Sequence, residues 1–103
     1  MSNTFEGLHQ EYFRRFYQFS GQSKWMEKIW SEALGESYPK ETIPYSYVTR
    51  EDLDCFADWL NLVAGTLLAD IGCGRGGPGL KLAERLQVQL VGVDIAPEAV
   101  EQA

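Results

Sequence analysis

The sequence has one histidine, two cysteines and four prolines in 103 residues, and only nine lysines and arginines against fifteen aspartates and glutamates. Each scarcity excludes a class of function. Cys55 and Cys73 do not form a C-x-x-C pair and no histidine cluster accompanies them, so neither a zinc site nor a disulfide framework is indicated and no metal is expected. The net charge of -6 is spread over both halves, with six positive and ten negative residues in 1–66 and three and five in 67–103. No basic face is available for nucleic acid or for an anionic membrane. The opening MSNTFEGLHQEYFRRF has no uninterrupted apolar stretch behind its arginines, and no run approaches bilayer length, so neither an export signal nor a span is read. A reduced, cytoplasmic setting is expected.

What is present is enough for one modest core: 45% of residues are hydrophobic and 13% aromatic. Phe5, Leu8, Tyr12, Phe16 and Phe19 recur at steps of three and four, with Phe13 and Tyr17 beside them, which predicts a helix over 4–19 buried on that stripe and ended by Gly21. Ser23 is placed to cap a second helix through Trp25, Met26, Ile29, Trp30 and Leu34, which Gly35 closes. ESYPKETIPYSYV has two prolines and no helical period, and reads as a loop. Thr49 and Asp52 form a capping box for a third helix carrying Leu53, Phe56, Ala57, Leu60 and Val63. Arg14, Arg15, Lys24 and Lys28 read as solvated faces, and His9 as an ordinary helical side chain.

After Gly65 the pattern changes. TLLADIG and QLVGVDI are short apolar runs of the kind found in strands buried on both faces, and a helix-length stretch with Leu80, Leu82, Ala83 and Leu86 lies between them. Pro97 and Glu98 suit the first turn of a further helix. The order is that of one βαβ unit, whose ligand crevice lies at the carboxyl ends of the strands. Asp70 ends the first run just before the glycine turn Gly72-Cys73-Gly74-Arg75-Gly76-Gly77, and Asp94 ends the second. Glycines let a ligand approach the backbone closely, and the helix that follows offers amide donors. An acid beside such a turn suits an ammonium group rather than a pyrophosphate, and an acid about 20 residues beyond the glycines suits ribose hydroxyls.

LLADIGCGRGGPGL followed by VGVDIAPEAVEQA resembles the first two motifs of the class I S-adenosylmethionine-dependent methyltransferases, in the group that modifies small molecules. The resemblance covers residues 67–103 closely, and 1–66 only as a helical N-terminal extension or lid. It implies an α/β fold: the start of a Rossmann-like parallel-sheet domain, with its first βαβ unit preceded by a helical segment. It also implies S-adenosylmethionine as cofactor and a small-molecule methyl acceptor as partner. Asp70 would serve the methionine ammonium group, and Gly72, Cys73, Gly74 and Gly76 would form the loop around the methionine and ribose. Asp94 would hold the ribose hydroxyls and Ile95 would pack on the adenine. Tyr45 and Tyr47, in the irregular loop, would belong to the lid or the substrate side. No residue identifies itself as the catalytic base.

Two other readings stand beside this one. Gly72, Gly74 and Gly77 also spell the G-x-G-x-x-G of a dinucleotide-binding oxidoreductase. The open edge of a two-stranded sheet also suits a non-catalytic interaction module that associates with itself. The sheet of the methyltransferase family normally has seven strands, so two strands in 103 residues lead to the expectation of an N-terminal fragment of a longer enzyme, inactive by itself.

Overall fold

Local capping chemistry accounts for where the helices begin. A computed structural model describes residues 5–20, 23–42 and 48–103. Helix α1 spans Phe5–Ser20 and α2 spans Lys24–Leu34. Ser23 caps α2, its Oγ accepting from the Met26 amide at 3.4 Å. Gly35 turns the chain at φ 58° into the 3-10 turn Gly35–Ser37. The expected terminator of α1, Gly21, lies outside the described residues.

Helix α3, Arg50–Leu60, starts on the reciprocal box the sequence predicts. The Asp52 amide donates to Thr49 Oγ1 at 3.1 Å, and the Thr49 amide donates to Asp52 Oδ2 at 2.9 Å. Thr49→Ala is therefore expected to lower stability by about 1 kcal/mol, seen as a lower urea midpoint with an unchanged slope. An unmoved midpoint would show that the box contributes nothing. Asn61 adopts a left-handed conformation at φ 41° and ends the helix. Val63, expected within α3, thus lies beyond it and is exposed.

Strands β1, Leu67–Ile71, and β2, Gln89–Val93, pair in parallel, with Leu67 opposite Gln89 and Ile71 opposite Val93. Helix α4, Gly77–Leu86, connects them, and α5, Pro97–Glu101, follows with its proline in the first turn. This is the expected βαβ unit preceded by helices, the architecture of the start of a Rossmann-like domain.

Burial departs from the sequence reading. One sheet face, with Leu68, carries the core: Leu53 and Ala57 of α3 pack with Leu82 of α4, and Val48, Phe56, Leu68 and Leu86 close around them. The other face presents Leu67, Ile71, Val91 and Val93, with Ile71 77% and Val93 51% exposed. The strands are thus covered on one face, not both, because α3 and α4 lie on the same side. The aromatic stripe of α1 is also not core: Tyr12 is 64% and Phe19 79% exposed, and α2 buries no residue completely. Two loop residues without a periodic signal are fully buried instead, Tyr38 and Pro39. Among the described residues, no helix is long and apolar enough to cross a membrane.

Candidate cofactor site

The loop after β1 is built by hydrogen bonds to the end of β2. The amides of Gly72 and Cys73 both donate to the Val93 carbonyl, at 2.7 and 3.0 Å. Asp94 then joins three segments: its Oδ2 accepts from the Gly74 amide and its Oδ1 from the Ala96 amide, each at 2.8 Å. The carboxylate at the end of β2 therefore holds both the glycine loop and the entry to α5. Each oxygen still has acceptor capacity for a hydroxyl. Gly76 caps α4 at φ 84°, its amide donating to the Cys73 carbonyl at 2.9 Å. A left-handed conformation at that position favours glycine over any residue with a Cβ.

A cavity of about 440 Å³ opens at the carboxyl end of β1, lined among others by Asp70, Gly72, Cys73 and Gly74. Four of the residues expected at the site thus meet on one wall. Asp94 does not itself line the cavity but is bonded to its wall through the Gly74 amide. Gly76 and Ile95 are not on it: Gly76 is buried in the loop, and Ile95 is 41% exposed beyond Asp94. Tyr45 and Tyr47 lie outside the described residues. Burial raises the Asp70 pKa above the usual carboxylate range, and the charge of Asp94 adds to the effect. Burial also pushes the Cys73 thiol up, with Asp70 and Asp94 contributing, so this thiol is not activated as a nucleophile. Among the described residues, no group of three or more His, Cys, Asp or Glu side chains could hold a metal ion.

Several residues shape the site in ways that the sequence does not announce. Gly79 is one: a Cβ there would overlap the Asp70 carboxylate, so the missing side chain lets the acid lie against α4. Gly77 is packed against the Thr42 carbonyl in the same way, and a Cβ on Gly92 would stand 2.9 Å from Cys73 Sγ. The signal was available in GGPG and in the glycine within VGV, but which backbone or side chain approaches each position is a non-local fact. Tyr17 was read only as part of a core stripe, yet it lines the cavity.

Helix α1 reaches this region through a polar stripe. Gln10 Nε2 donates to the Ile95 carbonyl at 3.2 Å, Arg14 Nε pairs with Glu98 Oε1 at 2.9 Å, and the Tyr17 carbonyl accepts from Gln102 Nε2 at 3.1 Å. Arg14 is accordingly an anchor to α5 rather than part of a merely solvated face. The hydrogen bond from Arg14 holds the Glu98 carboxyl below the usual carboxylate range.

No family model matches the chain. It is 34% identical over 79 residues to 27-O-demethylrifamycin SV methyltransferase of Amycolatopsis mediterranei (strain S699), covering 76% of this chain and 29% of that enzyme. Over 46 residues it is 46% identical to the human tRNA (uracil-5-)-methyltransferase homolog A, covering 45% of this chain and 7% of that protein. Among solved structures it matches Haemonchus contortus phosphoethanolamine N-methyltransferase 2 in complex with S-adenosyl-L-methionine. That match has a TM-score of 0.53 at 22% identity and covers 88% of this chain and 20% of the other. The chain spans less than a third of the length of the curated relatives it matches. Its relatives by sequence are methyltransferases and its neighbour by fold shares the helices and the parallel sheet, and the chain is a homologue of the class I S-adenosylmethionine-dependent methyltransferases.

Proposed function

We propose that the chain is the cofactor-binding part of a methyltransferase that takes S-adenosylmethionine and methylates a small molecule. The observation that carries this reading is the cavity in which Asp70 meets a glycine loop. The available groups fit the parts of that cofactor. Asp70 suits the ammonium group, and the loop from Gly72 through Cys73 to Gly74 allows close backbone approach, with nothing within 4 Å of a Cβ built on Gly72. The acceptor capacity left on Asp94 suits ribose hydroxyls, and the half-exposed Ile95 side chain offers an apolar surface to a base. Gly76 belongs to the same loop and acts by holding its shape.

Bound there, the cofactor supplies a methyl group on a positively charged sulfur, which is already a good leaving group. The protein's contribution is alignment, worth up to several kcal/mol when two reactants are held in line. Asp70 fixes the charged tail at one end, while Asp94 ties the loop and α5 together so that the two ends of the site keep their spacing. Residues 1–66 serve as an extension or lid, and 67–103 begin the cofactor domain. A small-molecule acceptor is supported by the net charge of -6 and by the rifamycin relative, which matches far more of this chain than the tRNA relative does. Two free thiols, Cys55 and Cys73, support a reducing, cytoplasmic setting.

Calorimetric titration of the full-length protein tests the cofactor reading. S-adenosylmethionine is expected to bind with one-to-one stoichiometry and a nicotinamide dinucleotide to give no heat. Saturable binding of the dinucleotide instead would overturn the reading in favour of an oxidoreductase.

A further inference from the structure

Tyr17 differs from the rest of its helix. Tyr12 and Phe19 point largely into solvent, whereas Tyr17 is half-buried and lines the same cavity as Asp70. Its hydroxyl lies directly over the glycine loop: a Cβ built on Gly74 would stand 2.6 Å from Tyr17 Oη. Glycine at 74 therefore does two things, adopting φ 56° and leaving room for the phenol. The cavity still measures about 440 Å³ with Tyr17 in place, so the ring forms a wall of the space and does not fill it.

The position is fixed from both sides. Gln10 and Arg14 on the same stripe of α1 hold Ile95 and Glu98, and the Tyr17 carbonyl itself accepts from Gln102. Phe16 packs edge-on against the Tyr17 ring, with centroids 5.2 Å apart. A phenol held in this way brings a hydroxyl donor to a cavity whose strand side contributes a carboxylate acceptor, Asp70. Burial and the Asp94 charge raise the phenol's pKa, so it stays protonated as a donor at neutral pH, although Arg75 pulls in the other direction.

We infer that Tyr17 is a cofactor-binding residue, its hydroxyl donating to the carboxylate of the amino-acid tail whose ammonium group faces Asp70. The inference rests on the cofactor reading above and adds a residue from outside the glycine motif. It assigns the two charges of one zwitterion to two different segments of the chain, the strand end and α1. A ligand without the amino-acid tail should not sense Tyr17 at all.

The test is titration of wild type and Tyr17→Phe, in the full-length protein, with S-adenosylmethionine and with 5'-methylthioadenosine, which lacks the tail. Loss of a hydrogen bond to a charged group predicts about tenfold weaker binding of S-adenosylmethionine by the variant. Its affinity for 5'-methylthioadenosine should equal that of wild type, which also shows that the variant is folded. Equal affinity of the two proteins for S-adenosylmethionine, or an equal loss for both ligands, would overturn the role of Tyr17 and leave the cofactor reading standing. A wild type that binds neither ligand would overturn both.

Discussion

Gly77→Ala is expected to destabilise the protein by about 3 kcal/mol, at the upper end of what overpacking usually costs. A methyl group at this position would overlap the carbonyl of Thr42, a backbone atom that cannot rotate away. The segment behind it is equally constrained. Thr42 returns both its amide and its Oγ1 to the Pro39 carbonyl, each at 3.0 Å, and Tyr38 and Pro39 are fully buried. For a domain of this size the cost corresponds to a fall in melting temperature of about 12–24 °C. Gly72→Ala is the control: its Cβ would meet nothing within 4 Å, and only the strain of φ 74° remains, about 1 kcal/mol. Thermal unfolding of the two variants side by side decides the matter. If both melt together, steric contact with Thr42 is not what position 77 requires.

Asp70→Asn should separate stability from binding. The folded protein raises the pKa of this carboxyl, so ionisation is disfavoured in the fold, and stability is recovered as pH falls through the raised value. The amide removes the charge at every pH and nearly preserves the shape. The unliganded variant should therefore melt higher than wild type at neutral pH, while its affinity for S-adenosylmethionine falls about a hundredfold, as expected for losing a charge-assisted contact of about 3 kcal/mol. In wild type, binding should weaken in acid over the range where Asp70 takes up its proton. Calorimetry and melting on the same preparation measure both. A variant that melts lower and binds as wild type would show that Asp70 is a structural acid and not a ligand of the ammonium group.

The parts of this molecule that were legible in the sequence are those decided locally. Thr49 and Asp52 cap α3 because their side chains reach backbone groups three residues away. The strand, glycine turn, helix and strand follow from residue type and spacing, and this placed Asp70, Gly72, Cys73 and Gly74 on one cavity wall. What was not legible depended on a partner. The periodicity of α1 describes two faces, apolar and polar, but does not say which one docks. The polar face does so here because α5 and its flanks offer a carboxylate, a carbonyl and an amide at matching intervals. Leu67, Ile71, Val91 and Val93 make apolar runs, yet a run cannot report that both packing helices lie on one side of the sheet. Tyr38 and Pro39 had no periodicity at all, and nothing in their own spacing reports that they are fully buried.

The attachment of α1 bears on how such a protein can change over generations. Gln10, Arg14, Glu98 and Gln102 form bonds between this helix and the end of the βαβ unit, and none of them lies in the apolar cluster of Leu53, Ala57 and Leu82. Exposed polar contacts of this kind contribute little energy individually. Substitutions along the helix that leave Gln10, Arg14 and Tyr17 in place therefore need not disturb that cluster. Descendants of one ancestral sequence can thus diverge over the exposed positions of the segment before the sheet and keep the packing of the βαβ unit, so long as a side chain that fits over Gly74 is retained at position 17.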